Sequence, residues 1–186
     1  MQRGLIVIAL VLFTLLTNSF SKEDTNMQKA YFAGGCFWGV EYHFEKQKGV
    51  KDVISGYMGG NVKNPGYYDV IRGNTGHVEA VEVIYNPNEI SYEELTKLFF
   101  EIHDSTQTNG QGPDIGSQYL SVVFYNNENE KKTTENIIDI LKNKGYKVAT
   151  TLKEVTPFYA AEGYHQDYYE RTGKLPYCHV YKKIFD

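Results

Sequence analysis

The chain has 186 residues and a mass of 21.3 kDa, which is enough for one domain with a buried core and too little for two. Apolar residues make up 41% and charged residues 23%, which excludes a disordered chain. The net charge of -4 argues against a nucleic-acid binder, whose phosphate contacts rest on clustered Lys and Arg. Two cysteines, Cys36 and Cys178, exclude a disulfide-dense scaffold and a four-cysteine zinc site. They leave one bridge, one catalytic thiol or two buried bystanders.

The chain opens on an address. Arg3 precedes the apolar stretch Leu5 to Leu16, and Ser19-Phe20-Ser21 puts small residues where a signal peptidase reads. The stretch is short of the about 20 apolar residues that span a membrane. Residues 1–21 are therefore expected to be a signal peptide and the protein to be exported, periplasmic or extracellular. The alternative is a membrane anchor left by an uncleaved segment. Residues 22–28 form a polar lead-in, and 29–186 a single catalytic domain ending in a tail that carries Cys178. An oxidising compartment is where disulfides persist.

Lys29 to Ala33 reads as a buried strand stopped by Gly34-Gly35. Phe37, Val40, Glu41 and Phe44 fall at helical spacing, so a helix opens at or near Cys36. Val50 to Tyr57 is a strand closed by Gly59-Gly60, and Asn61 to His77 reads as loop. Val78 to Tyr85 is a strand ended by Asn86-Pro87. Ser91 caps a helix whose buried stripe is Leu95, Leu98, Phe99 and Ile102. The polar stretch Asp104 to Gln118 is a loop long enough to be functional. Leu120 to Tyr125 is a strand, and Glu128 to Lys144 is a helix with Ile137, Ile138 and Leu141 inward. Lys147 to Val155 is a strand, Pro157 opens a Tyr-rich helix to about Arg171, and a flexible tail follows. This order predicts an α+β fold: a mixed β-sheet with covering helices, a ferredoxin-like two-layer sandwich.

Gly34-Gly35-Cys36-Phe37-Trp38-Gly39 is the most informative string. The glycines let the chain leave a strand sharply, and Cys36 in a first helical turn would meet free amides and the positive end of the dipole, which lowers a thiol pKa. His165 lies 129 residues after Cys36, a gap like that of papain-like proteases, but Phe37 stands where those have Trp. Metal signals are absent from the sequence: Cys178-His179 is poor spacing for two tetrahedral ligands, and no metal is expected.

The same string, with Thr75-Gly76-His77-Val78-Glu79-Ala80-Val81, resembles the peptide methionine sulfoxide reductase A family. So do Gly56-Tyr57-Met58-Gly59-Gly60, Asn64-Pro65-Gly66-Tyr67 and Asp114-Ile115-Gly116-Ser117-Gln118-Tyr119. The resemblance covers Lys29 to Tyr181. It implies a reductase of methionine S-sulfoxide, protein-bound and free, with Cys36 as nucleophile and Glu79 as acid. By burial Glu79 would rise from the ordinary 4.3 toward 6 or 7; read without the motif, it would be an exposed strand-edge carboxylate like Glu82. Tyr67 and Tyr119 match the hydroxyls that donate to the sulfoxide oxygen, Asp114 matches a polar site residue, and Phe37 and Trp38 would hold the substrate methyl. His77 is expected to order its loop.

Cys178 is the implied resolving cysteine. A Cys36–Cys178 disulfide would be reopened by a thioredoxin-like protein or a dithiol, with no bound cofactor. The partners expected are oxidised proteins or free methionine sulfoxide and the reductant, with no nucleic acid and a monomeric chain. The competing readings are a secreted binding module stapled by one disulfide and a small thiol–disulfide oxidoreductase without its Cys-x-x-Cys.

Overall fold

The computed structural model describes residues 26–185. The expected signal peptide and most of the polar lead-in lie outside the described residues. No helix among the described residues is long and apolar enough to cross a membrane.

Four strands and two helices carry the frame. Strand β1 (Gln28–Gly34) leads to helix α1 (Phe37–Glu45) and strand β2 (Val50–Met58). After the short helix α2 (Tyr67–Ile71) come β3 (Val78–Tyr85), helix α3 (Tyr92–Ile102), the hairpin β4 (Gly110–Gln111) and β5 (Asp114–Ile115), and β6 (Ser121–Tyr125). The order β6-β1-β3-β2 is antiparallel throughout and is the ferredoxin-like core. Helix α4 (Glu128–Asn143) adds β7 (Thr151–Glu154) parallel to β6, and β8 (Tyr159–Ala160) pairs with β2 at the other edge.

Alternation along β1 and β3 sends two sets of side chains to two faces. Phe32, Val81, Val83 and Tyr85 join Phe37, Phe44, Leu95, Phe99 and Ile137 in the main core beneath the helices. Tyr31, Ala33, Val78, Ala80, Val122 and Phe124 form a smaller cluster on the other face. Ser91 starts α3 as read: its hydroxyl accepts from the Glu94 amide at 3.2 Å, and Glu94 returns a bond to the Ser91 amide.

Five expectations are corrected. The loop 61–77 contains α2, whose first turn is tied by the Gly66 amide donating to Asp69 at 3.1 Å; so short an element leaves no periodic signal. The loop 104–118 contains the β4–β5 hairpin and a 3₁₀ turn at Ser117–Tyr119.

The helix expected from Pro157 to Arg171 shrinks to α5 (Tyr168–Thr172). Tyr159 and Ala160 instead pair with Tyr57 and Gly56, and the Gln166 amide bonds both backbone groups of Ser55. An open sheet edge competes for these residues more strongly than a helix of their own.

Glu82 is only 6% exposed, since Lys29 and Tyr31 on β1 cover it. The tail is packed, not loose: the amides of Lys182, Ile184 and Phe185 all donate to Glu101 at the end of α3, and Phe185 closes the core.

Candidate active site

The sharp turn between β1 and α1 places the first cysteine. Gly35 sits at φ 98°, a backbone region open chiefly to glycine, and a Cβ there would lie 2.4 Å from the buried Gln111 side chain. Gln111 in turn bonds both backbone groups of Asp104, so the polar loop is fastened against this turn. Cys36 is the N-cap of α1 rather than a residue of its first turn.

A cavity of about 150 Å³ opens over it, lined by Cys36, Phe37, Trp38, Tyr67, Glu79, Asp114, Tyr119 and Tyr177. Seven of the eight site residues expected from sequence thus meet at one cavity. The eighth, Cys178, sits close enough to Cys36 for each sulfur to be the strongest influence on the other. The two cysteines are not joined by a disulfide in this state. Five separate elements deliver these groups: α1, α2, β3, the hairpin with its 3₁₀ turn, and the tail.

Glu79 is 2% exposed, and its Oε2 accepts from the Phe37 amide at 3.0 Å. Burial pushes its pKa up to about 8, against the lowering effect of that amide, and Asp114 adds a repulsive push. At neutral pH Glu79 is therefore mostly a protonated acid. Burial also raises Tyr67 and Tyr119, each pushed further by Glu79, so both hydroxyls keep their protons and remain donors. Asp114 is raised too, by burial and then by the Cys178 sulfur beside it.

The expectation of a lowered Cys36 pKa does not hold for this state. The hydrogen bond to Cys178, burial and the Glu79 carboxylate push it up, outweighing the Trp38 amide that pulls it down. Cys178 moves oppositely, pulled down by Cys36 and His179 against burial. Each sulfur is thus the largest influence on the other, and the two are pushed in opposite directions. Displacing Cys178 from Cys36 removes the largest cause that keeps Cys36 a thiol.

Sequence reasoning missed a ring of supporting groups. Trp38 Nε1 donates to His165 Nδ1 at 3.2 Å, and the Trp38 ring stacks on Tyr168 at 3.8 Å between centroids. His165, 2% exposed and lowered by burial, also packs its ring 4.5 Å from that of Tyr67. Glu162 accepts from the Tyr67 amide and the Tyr57 hydroxyl, both at 2.9 Å. Tyr177 closes the cavity beside Cys178. His77 matches its expected role: it accepts from the Gly60 amide and donates to the Val62 carbonyl.

A ferredoxin-like sheet that presents two neighbouring cysteine sulfurs beside a neutral buried acid is the frame of a thiol-dependent oxidoreductase. A family model described as "Peptide methionine sulfoxide reductase" matches residues 28–185. The peptide methionine sulfoxide reductase MsrA of Nautilia profundicola is 47% identical over 152 residues, which cover 82% of this chain and 88% of that one. The reduced form of Mxr1 from Saccharomyces cerevisiae is similar at TM-score 0.79 and 34% identity, covering 84% of this chain and 93% of that chain. Mxr1 in complex with Trx2 is similar at TM-score 0.58 and 26% identity, covering 84% and 91%. The chain belongs to the peptide methionine sulfoxide reductase family.

Proposed function

We propose that this protein reduces methionine S-sulfoxide, protein-bound and free, to methionine. The observation that carries the reading is the convergence of a nucleophilic sulfur, a neutral carboxylic acid and two hydroxyl donors on one small cavity with aromatic walls. A sulfoxide sulfur is a poor electrophile until its oxygen is protonated, so the reaction asks for these groups together.

In this reading Phe37 and Trp38 hold the methyl group by apolar contact, with His165 and Tyr168 keeping the indole in place. Tyr67 and Tyr119 donate to the sulfoxide oxygen, and Asp114 lines the polar end. Cys36 attacks the sulfoxide sulfur while Glu79 gives its proton to the oxygen. Methionine departs and Cys36 is left as a sulfenic acid. Cys178 then attacks Cys36, expelling water and forming a Cys36–Cys178 disulfide, which a thioredoxin-like donor reopens by exchange. The solved complex of the relative Mxr1 with Trx2 supports a donor of that class.

Incubating the full chain with racemic methionine sulfoxide and dithiothreitol tests the reading: the S epimer should disappear and the R epimer persist. Folded protein that consumes neither epimer, or both equally, overturns it. Cys178→Ser should release about one methionine per Cys36 and then stall with a thioredoxin-type donor.

We further propose an exported monomer whose residues 1–21 are removed, which the Arg3 and Leu5–Leu16 pattern supports. Sequencing the N-terminus of the protein from its native cell tests this; a chain that still begins at Met1 favours the membrane anchor instead. Size-exclusion chromatography with light scattering tests the monomer.

A further inference from the structure

Outside the lining of the cavity, the tail buries one imidazole against the helix that carries the nucleophile. His179 is 2% exposed. Its Nε2 lies 2.7 Å from the Gly34 carbonyl, which can only accept, so Nε2 carries a proton. The tautomer is thereby fixed, and Nδ1 faces the Cys178 sulfur at 3.0 Å. The His179 carbonyl is held in turn by His43 Nε2 of α1 at 3.4 Å.

Room for this ring is built into the nucleophile's own motif. A Cβ on Gly39 would lie 2.1 Å from His179 Nδ1, and one on Gly35 would lie 3.6 Å from its Cε1. The string Gly35-Cys36-Phe37-Trp38-Gly39 thus presents Cys36 on one side and a seat for an imidazole on the other. Nothing in the sulfoxide step uses that imidazole.

We propose that His179 is the acid–base residue of the resolving step, and that it acts on Cys178. The proposal rests on the reading of Cys178 as resolving cysteine and assigns how that thiol is activated. Nδ1 takes the Cys178 proton as the Cys178 sulfur attacks the sulfenic sulfur of Cys36. The new S–S bond forms, the Cys36 S–O bond breaks, and the departing oxygen takes the proton from His179 and leaves as water. One sulfenic acid and one thiol give one disulfide and one water, so no further oxidant or reductant enters. His179 is returned neutral, with Nε2 still on Gly34.

The surroundings favour this division of charge. His43 on α1 and His103 after α3 are both lowered by burial and so add no competing positive charge. Glu79 on β3 is mostly protonated and Tyr177 keeps its proton. Asp114 on β5 attracts a protonated His179 while opposing the thiolate.

A stopped single-turnover experiment on the full chain reads the step directly. Reduced protein is mixed with methionine sulfoxide and quenched with an alkylating reagent. Methionine, sulfenic acid trapped by dimedone, and disulfide are then followed from pH 6 to 8. His179→Asn keeps a polar atom near the place of Nδ1, and His179→Gln keeps one near Nε2; neither can take a proton. Wild type should close its disulfide at a rate nearly flat with pH.

In both variants closure should fall nearly tenfold per unit below the ordinary thiol value near 8.5. Lost thiolate is partly offset by the greater nucleophilicity of a more basic sulfur, so the deficit should be on the order of tenfold at pH 6, close near pH 7 and turn into an excess toward pH 8. Unchanged closure, or a deficit equal at every pH as a merely structural role would give, overturns the proposal.

If wild type itself forms no trapped sulfenic acid and no disulfide, the underlying reading of Cys36 and Cys178 fails instead. For variants that release no first equivalent of methionine, alkylation of Cys178 is followed against pH in a Cys36→Ser background. A midpoint that rises toward 8.5 when His179 is replaced supports the proposal, and an unmoved midpoint overturns it.

Discussion

Glu79 and Glu82 lie three residues apart on β3, point to opposite faces of the sheet and are both nearly excluded from water, at 2% and 6% exposure. On the face without the main core, Glu82 accepts from Lys29 Nζ at 2.9 Å and from the Tyr31 hydroxyl at 2.7 Å. On the helix-covered face, Glu79 has an amide for a partner, and no ion pair reaches it among the described residues. One strand therefore buries two carboxylates by two physical routes. A cation and a phenol grip the first and make it a structural tie; the lack of a cation keeps the second protonated, which is what a proton donor to a sulfoxide needs. Burial by itself does not mark a catalytic acid. Burial without a countercharge, at the wall of a cavity, does.

The sharpest way to break this contrast is to replace each carboxylate by its amide. Glu79→Gln keeps the shape and removes the transferable proton, so S-sulfoxide reduction should slow by roughly 10² to 10⁴, the usual worth of a general acid. The rate constant for the first equivalent of methionine, measured by rapid quench, isolates the step from disulfide recycling. A loss under about fivefold would remove Glu79 from the role.

The same variant should gain stability relative to wild type as pH rises. Folded, Glu79 titrates near 8; unfolded, near the ordinary 4.5. Below pH 4 both states hold the proton and the substitution changes little. Between 4.5 and 8 the unfolded state releases the proton first, so the folded wild type loses stability through that window and levels off above it. Glu79→Gln escapes this cost, and its advantage should grow to roughly 3 kcal/mol near pH 7. Urea unfolding at pH 4, 6 and 8 measures it. A difference that does not change with pH would mean that Glu79 is not held protonated.

Tyr67 and Tyr119 should be worth less singly, because each can cover for the other at one oxygen. Either Tyr→Phe change is expected to cost about tenfold in kcat/KM, and both together about 10² or more, within the range for a lost oxyanion donor. Equal kinetics in the double variant would place the oxygen elsewhere.

Much of this was legible before any coordinates, and the pattern of misses has a physical cause. Alternation in Val78 to Tyr85 and the stripe Leu95, Leu98, Phe99, Ile102 are set by local burial, so β3 and α3 fall where their residues predict. The Gly-Gly before Cys36 announces a sharp turn because only the backbone needs to be known. The supporting ring was invisible because it is made by distant partners: His165 meets Trp38 across 127 positions, and His179 meets Gly34 across 145. The failed helix after Pro157 has the same origin, since its residues pair with the edge of β2 rather than with each other. Glu82 shows it in one residue. Alternation puts it on the thinner face, and only the β1–β3 register, which sets Tyr31 opposite it, reveals that it is covered.

That covered carboxylate supplies the smallest and most discriminating effect. In Glu82→Gln the amide oxygen still accepts from the Tyr31 hydroxyl, so no buried donor is orphaned. What is lost is the attraction to Lys29, whose side chain is 53% exposed and readily solvated. A half-exposed pair of this kind contributes little, and about 1 kcal/mol of destabilisation is expected at neutral pH, shrinking at high salt. Sulfoxide reduction should be unchanged, because β3 lies between Glu82 and the cavity. A chemical-denaturation midpoint at low and high salt, taken with the first-equivalent rate, checks both halves. If Glu82→Gln slowed the chemistry as Glu79→Gln does, the two faces would not be independent, and the missing countercharge would not be what separates the acid from the tie.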